Sequence, residues 1–330
     1  MTTQMQYRKM GASDLEVSVI GFGCWEIGGR YGHFDEQEVI QAVHRAIDLG
    51  VTLFDTALAY GAGKSEELLG RALGSKRKDV IVVTKGALPT REGQKPKRDA
   101  QYASIMQDIE DSLRALKMDH VDLYLQHWPD PETPIEESMR ALEEIRKAGK
   151  ARYVGVSNFH PHMLVEARKH SPIITNQVGY NLFDRRWELQ MFPTARELGI
   201  GIMAYGPMAH GLLTGAFTRQ TSFEENDWRR SGVIFGQKLF APGNFEKNIA
   251  VVEQLQQVAR DLDTPLAPLA IAWTLRDPIV AVALSGTRRA QEIEENVRAL
   301  ALIEKLTPEV QARIDTIMRG AAGQTDDLPV

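Results

Sequence analysis

Eight short apolar runs alternate with longer amphipathic ones along this chain, and that alternation restricts the fold more than any other feature. The runs at residues 17–20, 52–54, 80–84, 121–125, 151–156, 173–176, 201–204 and 280–284 read as buried strands. Helical spacing of apolar residues fills the intervals, at 35–49, 65–73, 100–116, 135–148, 160–169, 187–198, 245–262, 268–275 and 290–302. Strict βα alternation requires a parallel sheet with helical crossovers. At 330 residues the chain has room for two ordinary domains or for one α/β (β/α)8 TIM barrel. A doubly wound sheet would need Gly-x-Gly-x-x-Gly between its first strand and helix. Neither Gly21-Phe-Gly-Cys-Trp-Glu26 nor the pair Gly28-Gly29 supplies it, so a closed barrel, one domain over residues 1–330, is the expectation.

Two segments stand outside the alternation. Residues 7–17 read as a hairpin turning at Gly-Ala-Ser-Asp, placed to plug one end of the barrel. Residues 208–245 form a long insert after the seventh strand that carries Gly211, Gly215, Trp228, Arg229, Arg230 and Phe235, and loops of that length in a compact domain are commonly functional. The polar tail from Gly320 is expected to fray. A net charge of −5 gives no reason to expect a nucleic-acid partner. The one cysteine, Cys24, excludes an internal disulfide and any Cys-rich metal site. The first six residues have neither a basic nor an apolar stretch, and no run of 18 apolar residues occurs, so a cytoplasmic protein outside the membrane is expected.

Unusual polar residues fall at the strand ends. Asp55 closes the second strand, Lys85 the third, Gln126-His127-Trp128 the fourth, Ser157-Asn158 the fifth, Asn176-Gln177 the sixth, Tyr205-Gly206-Pro207 the seventh and Ser285-Gly286-Thr287-Arg288 the eighth. In a parallel barrel all these ends share one rim, where such proteins place their chemistry. Each residue has a plainer reading alone: Asp55 as a helix cap, Lys85 as a solvated cation, His127 as a packing residue, Ser157 and Asn158 as caps. Convergence on one rim is the stronger argument. Tyr60 follows Asp55 by five residues and precedes the turn glycines Gly61 and Gly63. A lysine ammonium beside that phenol favours the phenolate and is expected to lower its pKa from about 10.

The stretch Asp55-Thr-Ala-Leu-Ala-Tyr60-Gly61 resembles the Asp-Thr-Ala-x-x-Tyr-Gly signature of the aldo-keto reductases. Further matching pieces are Leu123-Tyr-Leu-Gln-His127, Gly155-Val-Ser-Asn-Phe159, Gln177 followed by Tyr180-Asn181, the segment from Tyr205 to Gly215, and Gly286-Thr-Arg-Arg-Ala-Gln-Glu-Ile-Glu-Glu-Asn296. The resemblance implies a (β/α)8 barrel that binds NADPH in preference to NADH and interconverts carbonyls and alcohols. It implies a catalytic tetrad of Asp55, Tyr60, Lys85 and His127, with Tyr60 as proton donor, Lys85 tuning it, Asp55 orienting Lys85, and His127 positioning the substrate oxygen. Cofactor contacts carried over are Trp25, Asp55, Ser157, Asn158 and Gln177, with Tyr205 stacking on the nicotinamide. Gly206, Pro207, Met208, Gly211 and Leu213 fall in the segment crossing the pyrophosphate. Gly286, Thr287 and Arg288 fall at the adenosine phosphate, with Glu292, Glu295 and Asn296 towards the adenosine. Arg288 suits a 2′-phosphate because a guanidinium offers two charge-assisted hydrogen bonds. Trp25, Tyr60, His127 and Trp128 are the substrate contacts, and Phe159 and the aromatic insert suggest a ring-lined pocket for a small-molecule carbonyl or alcohol.

Two positions depart from the pattern. Ala216 stands where a lysine is common, a contact that Arg229 or Arg230 would have to replace, and Glu292 stands where a glutamine is common. The competing function is a cofactor-sensing subunit, since some relatives regulate ion channels, and the intact tetrad argues against sensing alone. A metal-dependent barrel hydrolase is weaker, because His160 and His162 are the one close histidine pair and lie apart from any carboxylate cluster. No metal is expected. Oligomeric state, substrate identity and reaction direction have no signature in the chain.

Overall fold

In the computed structural model, which describes residues 4–28, 34–89, 97–225 and 227–329, eight parallel strands close into a barrel. All the candidate site residues named above lie within the described segments. A hairpin comes first, β1 (Tyr7–Lys9) antiparallel to β2 (Glu16–Ser18). Barrel strands and helices then alternate: β3 (Ile20–Gly23), α1 (Glu36–Asp48), β4 (Leu53–Asp55), α2 (Lys64–Leu73), β5 (Ile81–Gly86) and α3 (Tyr102–Leu116). They continue with β6 (Val121–Gln126), α4 (Ile135–Lys147), β7 (Ala151–Ser157), α5 (Pro161–His170), β8 (Thr175–Gly179), α6 (Met191–Leu198) and β9 (Gly201–Tyr205). Two helices, α7 (Asn244–Asp261) and α8 (Leu266–Thr274), precede β10 (Val280–Gly286), which pairs with both β9 and β3 and closes the ring. After β10 come α9 (Ala290–Asn296) and α10 (Pro308–Met318).

The period of two along a strand decides which side chains enter the barrel. Leu53, Val83, Leu123, Leu125, Met203, Val282 and Leu284 form an inner cluster, while Phe54, Val82, Tyr124 and Ala283 belong to the larger core against the helices. Continuing the same alternation towards the C-terminal end turns Asp55 and Lys85 inward, one step beyond Leu53 and Val83. The opposite end is plugged by the hairpin: Met10, Leu15 and Val17 join the inner cluster, and Ala12 N donates to Gly199 O at 2.8 Å.

Three expectations are corrected, and one helix had not been foreseen. The first barrel strand is Ile20–Gly23, because the apolar run from Val17 spans a corner: Val17 belongs to the hairpin, and Ser18 Oγ turns the chain by donating to Ile20 O at 2.7 Å. The last sequence-derived helix stops at Asn296 and continues as a 3₁₀ turn, Val297–Ala301. Helix α10 has a start signal that the apolar spacing did not reveal, Thr307 as N-cap followed by proline. The tail is docked: Asn248 Nδ2 donates to Ala322 O at 3.0 Å, Gln324 Nε2 to Phe183 O at 3.0 Å and Arg186 Nη1 to Asp327 O at 2.6 Å. Among the described residues no helix is long and apolar enough to cross a membrane.

Candidate active site

At the C-terminal rim the strand ends surround a cavity of about 270 Å³. Its floor holds an ion pair. Lys85 has no solvent exposure, and its Nζ donates to Asp55 Oδ2 at 2.7 Å, Thr56 O at 2.7 Å and Tyr60 Oη at 3.3 Å. Gln177 Nε2 donates to the other oxygen, Asp55 Oδ1, at 2.8 Å, so both carboxylate oxygens are engaged. Burial pushes Asp55 up and Lys85 down, and their mutual attraction acts against both displacements. Tyr60 is delivered by a tight turn in which Gly61 has φ +68°, and a Cβ there would stand 2.8 Å from Gly28 O. The conformation favours glycine twice over.

The expected lowering of the phenol is not what the environment produces. Burial first, then the charge of Asp55, hold Tyr60 well above its ordinary value of 10.0. Asp55 offsets the lysine that would otherwise stabilise the phenolate, so the phenol stays protonated at neutral pH. His127 sits edge-on to Tyr60, ring centroids 5.6 Å apart, and burial followed by the Lys85 charge puts it well below 6.5. It is a neutral imidazole, and its buried Nδ1 has no hydrogen-bond partner among the described residues.

A polar arc continues around the rim. Ser157 Oγ donates to Gln177 O at 2.9 Å, Asn158 Nδ2 to His127 O at 3.2 Å, and Tyr205 Oη to Asn158 Oδ1 at 3.0 Å. Asn158 takes a left-handed φ of +60°, which its short polar side chain tolerates. Trp25, Trp128, Gly206, Pro207, Met208, Gly211 and Gly286 also line the cavity, as sequence reasoning placed them. Other candidates lie off its wall. Leu213 is buried in the main core, Glu295 is exposed, and Thr287 and Asn296 are buried with bonds to Ser285 O (3.4 Å) and Ser285 Oγ (2.5 Å). Arg288 stands at the rim, its Nε 3.9 Å from Glu26 Oε2. Glu292 is the staple of α9, accepting from Arg288 N at 2.9 Å, Arg289 N at 3.2 Å and the Arg289 guanidinium.

Sequence reasoning missed Glu26, Leu88 and Leu284, which line the cavity, as do His210 and Phe235 from segments it had singled out. Phe235 was visible as part of the aromatic insert. Its ring centroid lies 5.6 Å from that of Tyr205, 5.9 Å from Trp128 and 6.1 Å from Trp25. Trp228 packs behind, 4.8 Å from Trp25 and 5.1 Å from His210, whereas Phe159 belongs to the core. Arg229 is held by Asp227 through two oxygens and donates to His210 O at 3.1 Å, and exposed Arg230 lies 3.6 Å from Glu225, so both guanidiniums have carboxylate partners. Among the described residues no cluster of three or more metal-ligating side chains occurs.

The cavity combines polar side chains with exposed glycine backbone. Amide and hydroxyl side chains (Ser157, Asn158, Gln177) and glycine backbone at Gly206, Gly211 and Gly286 line it, and the Arg288 guanidinium lies 3.9 Å from Glu26, another lining residue. Such groups suit, in that order, a carboxamide, a diphosphate that needs close backbone approach, and a ribose phosphate.

A family model described as Aldo/keto reductase family matches residues 19–319. The chain is 38% identical to "Aldo-keto reductase YhdN" of Bacillus subtilis over 95% of this chain and 94% of that one. It is 33% identical to a "Probable voltage-gated potassium channel subunit beta" of Oryza sativa over 98% of this chain and 99% of that one. Among solved structures, the glycerol dehydrogenase AKR11B4 from Gluconobacter oxydans superimposes with a TM-score of 0.85 at 34% identity, covering 97% of each chain.

Proposed function

The chain belongs to the aldo/keto reductase family and is an oxidoreductase, and on that footing we propose that it reduces aldehyde or ketone carbonyls with NADPH, Tyr60 acting as general acid. The observation that carries the proposal is the fully buried Lys85 ammonium, 2.7 Å from Asp55 Oδ2 and 3.3 Å from the Tyr60 hydroxyl at the cavity floor. When bound, the nicotinamide supplies the hydride that arrives at the carbonyl carbon. Tyr60 Oη gives its proton to the carbonyl oxygen, so the alcohol forms and a phenolate remains on the enzyme. The phenolate is left beside the Lys85 ammonium, which stabilises charge that exists only as the reaction proceeds. Asp55 keeps Lys85 charged and aimed. His127, neutral and rigidly packed, offers a hydrogen bond to the substrate oxygen. Alcohol oxidation uses the same groups in reverse.

Trp25, Tyr60, Trp128, Tyr205 and Phe235 give the pocket an aromatic part of its wall, which favours aromatic, alicyclic or sugar-derived carbonyls over small charged acids. A second reading, nicotinamide sensing with little turnover, is supported by likeness to the proteins described as probable channel subunits. The test follows absorbance at 340 nm with NADPH or NADH and a panel of aldehydes and ketones. Tyr60→Phe is expected to bind NADPH as the wild type does and to lose at least ~100-fold in kcat. Wild-type binding without turnover across the panel would favour the sensing reading, and full activity in Tyr60→Phe would remove Tyr60 from the chemistry.

A further inference from the structure

We propose that Glu26 sets the balance between NADPH and NADH by competing with the cofactor's 2′-phosphate for Arg288. The inference rests on the reading above that the cavity takes a nicotinamide dinucleotide with Arg288 at its adenosine end.

Glu26 sits in the 3₁₀ turn Trp25–Gly28 that follows β3 and lines the cavity together with Gly286 and Gly211. Its Oε1 lies so close over Gly286 that a Cβ there would collide with it, and its Oε2 is 3.9 Å from Arg288 Nε. Glycine at 286 therefore serves a second purpose, letting a carboxylate rest against the end of β10. The other acid near this rim, Glu292, has its charge taken up by two backbone N–H groups and the Arg289 guanidinium. Glu26 faces Arg288, Arg229 and Glu292, and burial raises its carboxyl above the ordinary 4.5. The Glu26 carboxyl stands 3.9 Å from the guanidinium that is to hold a dianion, and its charge, when ionised, opposes that dianion.

The two cofactors meet this arrangement differently. A 2′-phosphate must share or displace Glu26 from Arg288, and like charges within a few ångströms repel strongly in a partly buried site. A ribose 2′-hydroxyl instead donates to a carboxylate, the device by which acidic residues favour NADH in other dinucleotide sites. One side chain therefore weakens one cofactor and helps the other, which is how selectivity is adjusted without loss of binding.

The experiment measures Kd for NADPH and NADH by titration calorimetry in wild type, Glu26→Gln, Arg288→Ala and the double variant, with circular dichroism to show that each is folded. Glu26→Gln keeps the size, removes the charge and exchanges one acceptor oxygen for an amide donor. The expected result is a rise of about tenfold in the NADPH-to-NADH affinity ratio, carried mostly by tighter NADPH. The double variant is expected to show no such rise over Arg288→Ala alone. An unchanged ratio in Glu26→Gln, equal tightening of both cofactors, or a gain that survives in the double variant would overturn the inference and leave the reductase reading intact. Failure of folded wild-type protein to bind either nucleotide would overturn both.

Discussion

Asp55 and Lys85 allow a quantitative test, because the pair has been removed from water almost completely. Lys85 has no exposure and Asp55 about 3%, with Nζ and Oδ2 2.7 Å apart. Breaking a buried ion pair by removing one member strands the other charge and typically costs about 3–5 kcal/mol, whereas replacing both by neutral groups leaves no charge stranded. Asp55→Asn leaves the ammonium among neutral oxygens with no counter-charge, and Lys85→Met leaves a carboxylate supported by Gln177 alone. Each single variant is expected to lose about 3 kcal/mol, a fall of roughly 6 °C in Tm at ~2 °C per kcal/mol for a chain of this size. The double variant Asp55→Asn/Lys85→Met carries no stranded charge and is expected to lose about 3 kcal/mol in total, a coupling of about 3 kcal/mol. Urea unfolding of the four proteins gives the cycle directly. Losses that simply add, to about 6 kcal/mol with coupling under about 0.5, would refute the claim that the two charges depend on each other.

Two further outcomes concern stability away from the cavity. Glu66, buried behind β5 and accepting from Thr84 Oγ1 at 2.6 Å, is pushed up by burial to about 7, against an ordinary 4.5. The folded state holds that proton more tightly, so the stabilisation is whole below about pH 4.5 and is lost as pH rises through about 7. This is worth at most ~3 kcal/mol. Glu66→Gln is therefore expected to flatten the decline of Tm between pH 5 and 8, leaving the part due to Asp108, which burial also raises to about 7, and parallel curves for the two proteins would count against it. Gly70→Ala should destabilise by about 2 kcal/mol although alanine is the better helix former, because its Cβ would collide with the Leu116 carbonyl oxygen where α2 meets α3. An unchanged urea midpoint would contradict that close approach.

The parts of the molecule that were legible in the sequence are those governed by short-range periodicity. Val83 and Lys85 lie two residues apart on one strand, as do Leu53 and Asp55, so once the strands are recognised the polar ends must face one lumen at one rim. The same rule fails at a corner, which is why Val17 and Ile20 were joined: their apolar character is common to hairpin and barrel, and the bend lies in a serine hydroxyl bond to Ile20 O. The tail from Gly320 looked frayed by composition, yet Asn248 and Arg186 supply side-chain partners to its backbone from far away in sequence. Polarity alone did not reveal those long-range partners.

The phenol shows the same limit at the chemical level. A lysine beside a tyrosine suggests a lowered pKa, and the sequence contains nothing to contradict it, because burial and the position of the counter-charge exist only in three dimensions. In the fold Tyr60 is desolvated, and the aspartate that holds Lys85 adds to that effect, so the phenol is raised. A donor that must be protonated when substrate arrives and stabilised after it has given its proton is served by this balance. In the proposed reaction, burial and Asp55 keep the proton on beforehand, and the ammonium 3.3 Å away receives the phenolate afterwards. On that proposal Lys85 contributes most at the moment of transfer, when the hydroxyl beside it becomes an anion.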